Sequence, residues 1–189
     1  VGSHEEITCA TLMLEFFQAY VNSDYEKIAA CASQILQYKE LSLVGQAIAF
    51  ARRGESYRLM RRHEEALADL DRAIELDGEA AWVLHERGHT YRQMRRYEEA
   101  LADFNRAIEL DAKSAWAIAS RGQTYQQVGR YEEALADLNR ALALDPKQNI
   151  WATQDFLADF YQKTLTVYCG PDQDRLKAYS ERMQAKFPN

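Results

Sequence analysis

Apolar positions in this chain follow a helical rhythm that repeats. Over residues 97–110, Ala100, Leu101, Phe104, Ala107 and Ile108 stand at i, i+1, i+4, i+7 and i+8. That is the stripe of a 3.6-residue helix with one buried face. The stripe recurs 34 residues earlier and 34 residues later. Ala66, Ala100 and Ala134 form one column, Leu70, Phe104 and Leu138 a second, and Ala73, Ala107 and Ala141 a third. Gly54/Gly88/Gly122 and Tyr57/Tyr91/Tyr125 precede them at the same period, without insertion or deletion. Each copy therefore predicts two helices. The first run over about 47–59, 81–94 and 115–128, and the second over about 63–76, 97–110 and 131–144. Turns fall at Arg61-Arg62, Arg95-Arg96 and Gly129-Arg130. A period in this range marks a stacked architecture in which each unit buries its apolar face against its neighbours.

Small residues on the buried faces have a physical task. Gly88 and Ala100 let paired helix axes approach, where a larger side chain would hold them apart. Glu98 and Glu99 occupy a first turn, where the helix dipole favours negative charge. Asp77, Asp111 and Asp145 close the second helices or open the turns after them. The flanks read as decayed copies. Residues 25–32 align with 131–138 and predict a partner helix over about 6–20, with Asn22-Ser23-Asp24 as turn and N-cap. A longer connection is expected near residues 37–43. After Pro146 an apolar segment over about 150–168 is stopped by Gly170-Pro171, and Leu176, Tyr179 and Met183 mark a last helix.

The Gly, Tyr, Ala, Leu/Phe, Ala series resembles the tetratricopeptide repeat family. The clear copies are residues 47–80, 81–114 and 115–148, together 102 of 189 residues. Only the last has the family's closing proline, Pro146. Its tryptophan column holds Phe50, Leu84 and Ile118. The resemblance implies an all-α fold, a right-handed superhelical solenoid of antiparallel helix pairs, with three regular repeats between irregular helical hairpins. The expected division is 1–4 as a tag remnant (Gly2-Ser3-His4), 5–46 as a degenerate N-terminal repeat, the three repeats, and 149–189 as a degenerate repeat with a capping helix.

Composition narrows the function. Net charge is −6 and the pI is near 5.3, which argues against a surface built to neutralise phosphate and against a nucleic-acid partner. A repeat-built RNA reader is disfavoured on the same ground. No run reaches the roughly 20 apolar residues of a membrane span. Cys9, Cys31 and Cys169 lie far apart with no CxxC spacing, as free thiols in a reducing compartment would, and the expected location is cytoplasmic.

One string carries catalytic chemistry. His85-Glu86-Arg87-Gly88-His89 satisfies HExxH, in which two histidines one turn apart hold zinc beside a glutamate base. A zinc-dependent hydrolase is the minor alternative it raises. Its context opposes that reading: Gly88 belongs to the packing column, and no third ligand can be named. No nucleophile elbow, phosphate loop or dinucleotide loop occurs. The expected chain is not an enzyme and has no cofactor and no metal. The glutamate pairs, such as Glu64-Glu65, recur with the repeat and belong to the scaffold.

In the family resembled, first helices line a concave groove, whose residues are free to vary between repeats. Four variable columns lie at i, i+3, i+7 and i+10, one helical face: Ile48/Trp82/Trp116, Ala51/His85/Ala119, Glu55/His89/Gln123 and Arg58/Arg92/Gln126. The candidate peptide-binding residues are Glu55, Arg58, Trp82, His85, His89, Arg92, Trp116, Gln123 and Gln126. Aromatic anchors among hydrogen-bonding groups suit a protein or peptide partner. Packing of Trp82 and Trp116 between repeats is the competing reading. Some relatives bind the C-terminal carboxylate of heat-shock chaperones through a Lys/Asn/Arg clamp. Its positions map onto Ala51, Glu55, Glu86, Trp116 and Ser120, and none matches. The function expected is a non-enzymatic interaction scaffold. The alternative is a regulatory or oligomerisation module of a larger bacterial signalling or transcription protein, with the apolar ends offering a homodimer contact.

Overall fold

The computed structural model describes residues 4–38 and 41–145, with side chains from Thr11 onward except Met13. The described residues form eight helices and no strand. They are α1 (His4–Val21), α2 (Tyr25–Ile35), α3 (Leu43–Leu59), α4 (His63–Leu76), α5 (Ala81–Gln93), α6 (Tyr97–Leu110), α7 (Ala115–Gln127) and α8 (Tyr131–Leu144). Consecutive helices pack on one another, and α3, α5 and α7 also touch in sequence. The expected segments after Pro146 lie outside the described residues.

Helix boundaries follow local chemistry. Asp24 caps α2 by accepting from the Lys27 N–H at 3.0 Å, the N-cap expected from the Asn22-Ser23-Asp24 run. Helix α3 starts at Leu43, about four residues before the repeat period places it. Ser42 causes this, since its hydroxyl accepts from the Gly45 N–H at 3.1 Å and closes an earlier cap. Asp77, Asp111 and Asp145 are the C-caps of α4, α6 and α8. The turns inside the repeats use left-handed backbone at Arg61, Arg95 and Gly129, and only the last has the residue that adopts it without strain.

The core is a chain of local clusters. One joins Leu12, Cys31, Ile35 and Ala49 across α1, α2 and α3. A second joins Ala51, Ala66, Leu70, Ala73 and Val83. A third joins Leu84, Ala107, Ile108, Ala117, Ile118, Ala119 and Ala141. Each bridges one helix pair to the next, as nearest-neighbour stacking requires. The packing role of glycine is direct at Gly88, where a Cβ would stand 2.7 Å from Phe104 Cε1.

A polar ladder runs beside this core. Arg53 grips Asp69 through Nε and Nη2 at 2.6 and 2.8 Å, tying α3 to α4. Arg87 repeats this with Asp103 at 2.8 and 2.6 Å, and Arg121 with Asp137 at 2.6 and 2.7 Å. The Nη1 groups reach back one repeat, from Arg87 to Asp71 and from Arg121 to Asn105. Each guanidinium thus joins its own helix pair and the previous one through a planar fork suited to carboxylate. A second repeated set locks the turns. Arg62, Arg96 and Arg130 pair with Glu65, Glu99 and Glu133 and lie over the rings of Tyr57, Tyr91 and Tyr125.

Candidate functional site

The variable columns of α3, α5 and α7 hold a cluster that does not repeat. It centres on Ser120, whose column is Arg52/Glu86/Ser120. His85 Nε2 lies 2.9 Å from Ser120 Oγ, and His89 Nε2 lies 3.0 Å from the same oxygen. Arg92 Nη2 lies 3.2 Å from His89 Nδ1. Arginine can only donate, so His89 accepts at Nδ1 and holds its proton on Nε2. His89 then donates to Ser120 Oγ, and the Ser120 hydroxyl donates to His85 Nε2. This leaves the His85 proton on Nδ1, which is buried and has no hydrogen-bond partner. The polar atoms form one directed chain running from Arg92 to His85.

Both histidines are neutral in this arrangement. Burial, then the charges of Arg58 and Arg92, holds His85 well below the usual imidazole pKa. Burial, then His85, Arg92 and Arg58, pushes His89 down to about 2. Trp116 lies stacked on His85, at an interplanar angle of 25°, while 48% of the tryptophan remains exposed. Phe104 backs both imidazoles from α6.

The charges beside this chain are unevenly matched. Arg58 Nε and Nη2 hold Glu86 Oε2 at 2.8 and 2.7 Å. No ion pair to Arg92 occurs among the described residues, and its buried Nε has no hydrogen-bond partner there. A pocket of about 290 Å³ opens next to it, lined by Arg92, Gln93, Arg95, Tyr97 and Gln127.

The family question is decided by the repeat pattern itself. The tetratricopeptide repeat model matches residues 45–113 and 79–147, more than half the chain. The chain belongs to the tetratricopeptide repeat family. Among solved structures, it is similar to the second repeat domain of Spaghetti (RPAP3) bound to the HSP90 peptide SRMEEVD. Identity there is 33%, covering 53% of this chain and 93% of that one, with a TM-score of 0.52. The second repeat domain of human RPAP3, in complex with the HSP70 peptide SGPTIEEVD, is 29% identical over 63% of this chain and 98% of that one, at a TM-score of 0.58. A MamA RS-1 double mutant covers 94% of both chains at a TM-score of 0.68 and 12% identity, a likeness of fold alone. No curated protein matches.

The tetratricopeptide columns sort the nine candidate residues into groups. His85, His89, Arg92 and Trp116 come together in the Ser120 cluster. Arg58 joins its edge through Glu86. Trp82 stands apart, half-buried against Ala51, Leu70 and their neighbours, with the Arg52 guanidinium 4.5 Å from its ring. Glu55 is held by that same Arg52 at 2.9 Å. Gln123 and Gln126 are half-buried on α7. Glu86 and Ser120 lie outside the four variable columns. The signal that finds them is the neighbouring column, Arg52/Glu86/Ser120, which varies just as freely.

The HExxH string has a structural account. Glu86 is engaged by Arg58, Gly88 packs on Phe104, and both histidines turn toward Ser120. Among the described residues no group of three or more His, Cys, Asp or Glu could hold a metal ion. No helix among them is long and apolar enough to cross a membrane.

Proposed function

We propose that this chain is a non-enzymatic scaffold that holds a peptide or protein segment along the groove lined by α3, α5 and α7. The observation that carries the reading is Trp116, a large aromatic left 48% exposed and stacked on a buried histidine. An indole held rigid on one face and open on the other loses little freedom on binding, which suits an anchor. The repeat scaffold does not demand this cluster, since the equivalents of His85 are Ala51 and Ala119. Peptide complexes of the two RPAP3-type relatives support the same class of function. His85, being 1% exposed, serves as the floor beneath Trp116. His89, Arg92, Gln123 and Gln126 supply hydrogen bonds beside it, with Arg58, Glu55 and Trp82 toward α3. Repeats 47–80, 81–114 and 115–148 act as one binding unit in this reading.

The test compares capture of partners from source-cell lysate by the native chain and by a Trp116→Ala, His89→Ala, Arg92→Ala variant matched to it in helicity by circular dichroism. The reading expects a specific partner retained by the native chain and lost with the variant. A partner retained equally by both would move the site off this groove.

A further inference from the structure

Resting on the groove reading above, we propose that Arg92 is the point at which the groove binds an acidic side chain, an Asp or Glu of the bound segment. Each arginine of the repeated ladder faces a carboxylate, and Arg87 faces two. Arg58 has Glu86. Arg92 is half-buried on the same face without such a partner among the described residues, and its Nη2 is spent on a neutral imidazole. Its Nε is buried and unmatched. Burial, then repulsion from Arg58, lowers its pKa from the ordinary arginine value, a sign that the cation sits where a negative charge would be welcome. An unsatisfied buried donor and an uncompensated charge both cost stability, so a chain that keeps them gains where an anion completes the site.

Space and spacing agree. The 290 Å³ pocket beside Arg92 has Arg95, Gln93, Tyr97 and Gln127 on its walls, room enough for a carboxylate with hydrogen-bond donors around it. Arg92 lies seven residues beyond His85, the residue on which Trp116 stacks. At about 1.5 Å per residue that is roughly 10 Å along α5, the reach of about three extended residues. The recognised segment therefore has an acidic residue about three positions from an apolar one.

The probes are two pools of labelled dodecapeptides. Each has a fixed central Phe and mixed residues elsewhere, apart from positions three before and three after the Phe, which are Glu in one pool and Gln in the other. Retention is measured on the native full chain, Arg92→Gln and Trp116→Ala. The native chain is expected to retain the Glu pool about tenfold over the Gln pool, the effect of one charge-assisted pair. Arg92→Gln is expected to erase that preference while keeping the weaker binding shared by both pools. Trp116→Ala is expected to lose both. Equal retention of the two pools by the native chain, or a preference that survives Arg92→Gln, overturns the inference and leaves the groove reading standing. Shared binding that survives Trp116→Ala overturns the groove reading instead. Retention of neither pool overturns the acidic-peptide assignment, and a change of sedimentation coefficient on Arg92→Gln would then assign the site to a second copy. Arg92→Gln must also unfold no more easily than the native chain, because a purely structural arginine would be missed on removal.

Discussion

Two sets of partly or fully buried polar side chains share α5, and they obey opposite rules. Arg87 belongs to a ladder that recurs at every repeat, with Arg53 and Arg121 doing the same work against Asp69 and Asp137. Every charge in it meets an opposite charge. A few residues along, His85, His89 and Arg92 form a chain found once, with neutral imidazoles and a cation that meets no carboxylate among the described residues. Residues that repeat at 34 are there because the same helix pair must be built three times. Residues that break the period while lying in the packed interior are not required by the repeat itself. The difference separates what holds the molecule together from the cluster proposed to meet a partner.

Acid should break the groove side of this comparison first. The folded chain keeps His85 and His89 neutral, whereas an unfolded imidazole takes a proton near pH 6.5. Below that pH the unfolded state binds more protons, so stability falls with pH, down to about 2 in the case of His89. Between pH 6.5 and 5 the loss is about 2 kcal/mol for each histidine. Urea unfolding at pH 7 and pH 5 reads it, and a His85→Gln, His89→Gln variant should show a flatter dependence.

The ladder breaks by mutation. Asp103→Ala leaves Arg87 with only the half-exposed Asp71 and is expected to cost about 3 kcal/mol. An unchanged denaturation midpoint would demote the ladder to decoration. Gly88→Ala sharpens the same side, because the new Cβ meets the buried Phe104 ring at 2.7 Å. Overpacking should outweigh the helix propensity gained and leave a net cost of about 1–2 kcal/mol in thermal unfolding. The smallest effect has the opposite sign. Arg92→Gln removes an unmatched, half-buried cation and should stabilise the chain by about 1 kcal/mol.

Much of this was legible in the sequence, because a strict period averages away the noise of single positions. Five columns placed the helix pairs, and four of the six inner helices of the repeats end where the pattern put them. Helix α3 departs at its start because Ser42, outside the period, caps it early. The ladder was equally readable: an arginine precedes each column glycine and an aspartate precedes each column Leu or Phe. These charged columns keep the 34-residue period as strictly as the apolar ones do. The groove was less legible. Trp82 and Trp116 occupy one column, yet the first is tucked against the second core cluster under Arg52, and the second stands open on His85. What a groove residue does depends on its neighbour in the next repeat, which a column cannot show. Ser120, the joint of the polar chain, has no motif of its own.

Chemical-shift mapping of the native chain on addition of the Glu peptide pool tests the central claim most directly. The account predicts changes concentrated at the Trp116 indole, the His89 ring and the Arg92 guanidinium, with the Arg53, Arg87 and Arg121 ladder unmoved. Changes centred on the ladder or on α1 and α2, with Trp116 silent, would contradict it.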